Sequence, residues 1–201
     1  FAAAYLPGYY LATGQRTDGG ERSVVASRFP IARAQSRLAR SDLIPFGYDG
    51  VFTRDLFEAE ILVPGLPQPL HVFTTHLKAH PDQESSLRRA AEARAISNYL
   101  ATAALTTLAL RPYVLVGDMN EDVFRPRTYE QDAIRTLVSP PTGMNLTTPR
   151  NPATRDDRTW SIRNTQLTIR FDYILPCGLL FSNVTGSQVF RSDTVSPPCP
   201  P

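Results

Sequence analysis

In 201 residues, 21 Lys+Arg against 19 Asp+Glu leave a net charge of +2, and 42% of the chain is hydrophobic. That length suits one domain, and that apolar fraction suits a packed core and excludes wholesale disorder. The charge supplies no strong basic patch for nucleic acid, and the longest weakly polar run, Ala101 to Leu110, is too short for a transmembrane segment, so a soluble chain is expected.

Short β elements open the chain. Tyr9-Tyr10-Leu11 reads as extended, Thr17-Asp18-Gly19-Gly20 as a turn, and Arg22 to Arg28 as extended up to Phe29-Pro30. Leu56–Val63 and His71–Leu77 form a predicted hairpin around Pro64-Gly65-Leu66-Pro67. The clearest helix follows, with Pro81 in its first turn and Asp82 and Glu84 where the helix dipole favours negative charge. Its apolar stripe is Ala93, Ile96, Leu100 and Ala103; Arg88, Arg89, Glu92 and Arg94 fall largely on other faces, and Pro112 sets an end near Leu110. Tyr113–Val116 is an unbroken apolar run, the pattern of a strand buried on both faces. A short helix is predicted over Tyr129–Leu137, a loop over Pro140–Pro152, and strands over Thr168–Leu175 and Val184–Phe190. The order is that of a mixed α/β domain with more strand than helix, without repeat or linker. Cys177 and Cys199 fit neither a metal spacing nor a CxxC motif, and whether they pair stays open.

Three motifs carry chemistry. In Val116-Gly117-Asp118-Met119-Asn120 a buried strand ends in a carboxylate and an amide two residues apart, which extended chain points to one side. Such a pair suits hydrolysis: the carboxylate takes a proton from water and the amide donates to an oxyanion. A plain turn after a strand explains the same residues. His76, in Thr74-Thr75-His76-Leu77, stands near another strand end and could donate to a phosphoryl oxygen, or be merely structural. A zinc site from His71, His76 and His80 is disfavoured, because residues five apart on a strand face opposite sides. In Arg170-Phe171-Asp172-Tyr173-Ile174-Leu175 an acid interrupts an apolar strand, and Arg170 is the partner available to it on the same face.

Taken as an ordered set, Thr75-His76-Leu77, Gly117-Asp118-Met119-Asn120 and Asp172-Tyr173-Ile174, preceded by Val25-Ala26-Ser27-Arg28-Phe29-Pro30-Ile31, resemble the endonuclease/exonuclease/phosphatase superfamily over about residues 8 to 190. The resemblance implies a deoxyribonuclease-I-like α/β (α+β) fold, a two-sheet sandwich flanked by helices. It implies metal-dependent phosphoester hydrolysis by in-line attack of water on phosphorus. Asp118 would orient or deprotonate that water, Asn120 would hold the phosphate, His76 would donate to a non-bridging oxygen, and Asp172 would orient a second histidine. Arg54 falls where relatives place a phosphate-contacting arginine. The implied cofactor is Mg²⁺ or Mn²⁺, with its main ligand, a Glu on an N-terminal strand, expected outside this chain; no metal ligand is assigned within it. The family's closing Ser-Asp-His is also missing, since Arg191-Ser192-Asp193-Thr194 lacks the histidine. The expectation is thus a single domain, incomplete at both ends and inactive alone. The implied substrate is a phosphoester (nucleic acid, phospholipid head group or sugar phosphate), the state a monomer, and the compartment secreted or periplasmic in a bacterium. The alternative is a non-catalytic binding or scaffold domain that keeps the fold.

Overall fold

The computed structural model describes residues 2–15, 20–161 and 167–190. A short helix α1 (Ala2–Tyr5) leads into the hairpin β1 (Tyr10–Thr13) and β2 (Val24–Ser27), a two-stranded antiparallel sheet. The second sheet has five strands, β3 (Ile31–Ser36), β4 (Phe57–Ile61), β5 (Leu70–His76), β6 (Tyr113–Asp118) and β7 (Asp172–Pro176), side by side in chain order. All neighbours are antiparallel except β5 and β6, which are parallel and joined by helix α2 (Gln83–Ala104). Helix α3 (Ala133–Val138) packs beside α2, and α4 (Gly178–Phe181) follows β7. The chain is therefore an α/β domain with two sheets and flanking helices.

Strand alternation builds two apolar layers. Phe73, Leu115, Tyr173 and Leu175 face α2 and pack with its Ala93, Ile96, Leu100 and Ala103 and with Ile134 and Leu137 of α3. On the opposite face Phe57, Ala59 and Ile61 meet Val25 of the hairpin, with Val72 against them. The hairpin covers only part of this face. Farther along lies an apolar hollow of about 830 Å³, with Leu70, Val114, Ile174, Leu180 and Val184 in its walls.

Several elements depart from the sequence-based expectation. β6 is not buried on both faces: Tyr113 and Leu115 are buried, whereas Val114 and Val116 are half-buried. Val114 faces the hollow. Helix α2 begins at Gln83, because the Asp82 side chain accepts the Ser85 N–H and so caps it. It ends at Ala104, six residues before Leu110, in a Thr-rich stretch where the Thr106 hydroxyl bonds the Thr102 carbonyl. Arg89 and Glu92 of this helix, expected largely on faces other than the apolar stripe, are fully buried. The second helix starts four residues later than Tyr129, behind Asp132 in the left-handed region. The last strand is short, Asp172–Pro176, and Val184–Phe190 forms no strand. The turn residues 17–19, the Arg191–Thr194 segment and Cys199 lie outside the described residues; Cys177 is buried and free.

Candidate active site

Strand register brings the motifs together. In the β5–β6 ladder His76 stands opposite Asp118, and in the β6–β7 ladder Asp118 stands opposite Asp172. These three side chains form one row across adjacent strands, on the face away from α2. His76 Nε2 lies 3.7 Å from Asp118 Oδ2. Gly117 makes the row possible: its φ is +144°, and a Cβ there would sit 1.9 Å from the Thr75 carbonyl oxygen.

Loops add the remaining groups. Arg54, in the loop before β4, donates through Nη1 to the His76 carbonyl at 3.0 Å. Its Nη2 lies 2.9 Å from Glu21 Oε2, and the same oxygen is 3.0 Å from His76 Nδ1. Glu21 is the site residue that sequence reasoning missed. An isolated acid beside a Gly-rich turn carries no local signal, and only tertiary contact places it on Arg54 and His76. Glu21, Arg22, Arg54, His76 and Asp118 all border one cleft of about 320 Å³.

Asn120 has a different place. Its φ is +51°, its side chain is buried, and its Nδ2 donates to the Leu77 carbonyl at 3.1 Å. Its backbone N–H donates to Asp118 Oδ1 at 2.8 Å, so it fixes the Asp118 carboxylate and the end of β5. Asp172 is exposed, so no buried charge demands a partner there. Arg170 does not pair with its carboxylate: it is fully buried, stacks 4.2 Å over the Tyr173 ring and donates to the Thr147 carbonyl.

Burial raises the Asp118 carboxyl above the usual carboxylate range. The Asp172 charge pushes the same way, against the Asn120 N–H, His76 and Arg54. Asp118 is therefore a better proton acceptor than an ordinary aspartate.

The cleft residues do not by themselves fit a divalent cation. Glu21, Asp118 and Asp172 offer oxygen donors. Among the described residues, however, the only His/Cys/Asp/Glu trio with donor atoms within 4.8 Å of one another is Glu58, Glu60 and His71. That trio is elsewhere, at the far end of β5 and on its α2 side. There Glu58 is already engaged by His71 Nδ1 at 2.6 Å and by Arg37 Nε at 2.6 Å. The Arg37 guanidinium supplies positive charge where a cation would bring it.

Comparison with solved structures places the fold. The mannosyl-6-phosphatase of Bacteroides thetaiotaomicron aligns with a TM-score of 0.60 at 18% identity, over 88% of this chain and 65% of its own. Sphingomyelinase C of Streptomyces griseocarneus aligns at 0.50 and 18%, over 77% of this chain and 52% of its own. A Staphylococcus aureus beta toxin variant with bound magnesium ions aligns at 0.52 and 14%, over 77% of this chain and 52% of its own. The chain thus spans 52 to 65% of the length of these structures. No curated protein matches the sequence. The family model described as "Endonuclease/Exonuclease/phosphatase family" matches residues 1–193, the span that holds the strand row of His76, Asp118 and Asp172, and the chain belongs to that family.

Proposed function

We propose that this chain carries the catalytic strands of a metal-dependent phosphoester hydrolase. The observation that carries the reading is the His76–Asp118–Asp172 row, held in register by backbone pairing at one end of the sheet. Hydrolysis of a phosphoester needs little covalent chemistry from the protein and much positioning of charge. In this reading Asp118, with its raised proton affinity, orients and deprotonates the attacking water. His76 donates to a non-bridging phosphoryl oxygen as charge develops, and Arg54 neutralises the phosphate from beside it. Asn120 contributes chiefly by fixing the Asp118 carboxylate, since its amide is bound to Leu77. A Mg²⁺ or Mn²⁺ ion would supply further charge neutralisation.

The reading includes a more complete sandwich. The 830 Å³ apolar hollow on the active-site face is the kind of surface a further β layer covers, and strands outside these 201 residues would supply it together with the main metal ligand. The 201-residue chain alone is then a poor catalyst. A net charge of +2 favours a phosphorylated small molecule or lipid head group over duplex nucleic acid. No helix among the described residues is long and apolar enough to cross a membrane, and a secreted or periplasmic place belongs to the same proposal.

The test assays the polypeptide as the gene encodes it, beside the 201-residue chain, on bis-p-nitrophenyl phosphate and p-nitrophenyl phosphate with Mg²⁺ and then EDTA. Turnover lost on chelation and on His76→Ala supports the reading. No turnover by either polypeptide with any divalent metal replaces it with a non-catalytic binding domain that retains the fold.

A further inference from the structure

The Arg54 loop and the loop that leaves β5 just after His76 meet on one buried carboxylate. Glu92 is on helix α2 and is fully buried. Its Oε1 accepts the Thr53 N–H at 2.8 Å, and its Oε2 accepts the Lys78 N–H at 2.8 Å. Thr53 immediately precedes Arg54, and Lys78 lies two residues beyond His76. The nearest cation is Arg88, whose Nε is 3.7 Å from Oε1, so both short bonds of the carboxylate go to backbone amides of the two site loops. One turn earlier, Arg89 grips the second loop from the same helix. Its Nη1 donates to the Lys78 carbonyl at 2.7 Å and to the His80 carbonyl at 3.1 Å.

We infer that Glu92 is a positioning residue, a clamp that ties the Arg54 loop to the loop leaving β5 after His76 and so holds Arg54 beside His76 at the cleft. The inference rests on the phosphoester-hydrolase reading for its consequence but not for its geometry. Burying a carboxylate is costly, and burial does raise the proton affinity of Glu92. A glutamate of purely structural use on α2 is replaceable by an apolar residue. A glutamate that closes both loops is not, because two acceptors at this spacing are needed for two converging N–H groups. The β5–β6 pairing ends with the Leu77 N–H on the Asp118 carbonyl at 3.1 Å, the Arg54 loop lies outside it, and Arg54 and His76 each bring one cationic or proton-donating group to the cleft. A displacement of either by about 1 Å costs as much as two orders of magnitude in rate.

Glu92→Gln tests this with little change of volume. The amide offers one acceptor and turns an N–H toward the second loop, which releases one side of the clamp. Leu100→Ala, two turns along α2 and fully buried, is the control for general loss of stability. In the polypeptide as the gene encodes it, Glu92→Gln should lower kcat for the phosphodiester about 10- to 100-fold with KM changed less than threefold. Leu100→Ala should lower melting temperature without that kcat loss. In an Arg54→Ala/His76→Ala background the Glu92→Gln effect should shrink to less than threefold, because neither group is left to position. Amide hydrogen exchange of Thr53 or Lys78 should accelerate at least tenfold in Glu92→Gln. The inference is overturned if the kcat loss persists in full without Arg54 and His76, or if both amides stay protected. Should the wild type prove inactive with every metal, the hydrolase reading falls. The clamp is then judged by the two amides alone.

Discussion

Replacing Gly117 by alanine separates an architectural requirement from a chemical one. Gly117 pairs with Thr75 in the parallel β5–β6 ladder, and its φ of +144° lies where L side chains are strained. An added Cβ would meet the Thr75 carbonyl oxygen at 1.9 Å, whereas real Cβ contacts stay beyond 3.0 Å, so β5 and β6 must part by roughly 1 Å or more. The backbone strain costs about 1–3 kcal/mol. Weakening one or two ladder hydrogen bonds adds about 1 kcal/mol each. The expected loss is about 2–5 kcal/mol, a large share of the about 5–15 kcal/mol typical of a domain. Urea unfolding followed by far-UV circular dichroism reads this directly, with Gly178→Ala as control, since a Cβ at Gly178 meets nothing within 4 Å. Gly117→Ala within about 1 kcal/mol of wild type would show that the close approach is not a constraint, and the account of how His76 and Asp118 are aligned would fail with it.

Further outcomes follow from the same geometry. Asp118→Asn should lower kcat by about 10²–10⁴-fold. The folded-state pKa of Asp118 is raised, so ionisation at neutral pH weighs against folding, and the same variant should be about 0.5–1 kcal/mol more stable; equal or lower stability in chemical denaturation contradicts this. Because the active form is the carboxylate, the acidic limb of the wild-type pH–rate profile should lie above the ordinary aspartate range, and a limb at or below that range removes Asp118 as base. Glu21→Gln frees Arg54 and His76 from an exposed carboxylate and should tighten inorganic phosphate about two- to fivefold by titration calorimetry, with weaker binding as the contrary result. Ile174→Ser, at a side chain 59% exposed on the apolar hollow, should change the stability of the 201-residue chain by less than about 0.5 kcal/mol, yet cost more than about 1 kcal/mol in a polypeptide whose further strands cover it.

The legible parts of the sequence were those where local chemistry and tertiary environment agree. His71–Leu77 and Tyr113–Val116 are β-branched and aromatic, and both became core strands. The stripe of Ala93, Ile96 and Leu100 packs onto the sheet as its spacing requires. The burial of Arg89 and Glu92 was not legible in the sequence, for a physical reason. Charge on a helix signals a wet face unless the charged atoms bind backbone groups, and here they bind the amides and carbonyls of two loops that the helix pattern cannot foresee. The strand Ile31–Ser36 was missed because its Ala-Arg-Ala-Gln interior is mostly exposed and carries little β signal. Val184–Phe190 has that signal but no partner strand among the described residues, and β propensity measures fit to a pleated, half-buried surface rather than a backbone preference. Glu21 had no local signal at all.

The row of His76, Asp118 and Asp172 depends on residues that never touch the cleft. Side chains alternate along a strand, so slipping β7 by one residue against β6 would send Asp172 to the α2 side and bring an apolar neighbour into the site. What forbids the slip is the other face. Leu115 and Leu175, opposite each other in register, are fully buried under α2, and the buried Tyr173 beside them accepts the Val123 N–H on its hydroxyl oxygen at 3.1 Å. Phe73 fixes β5 against Leu115 in the same way. The apolar layer therefore sets the register, and the register sets the spacing of the polar row. Arg54 and Glu21 are outside this control because they come from loops, which is why a separate device, the buried Glu92 carboxylate, is needed to hold the Arg54 loop where the strands have placed His76.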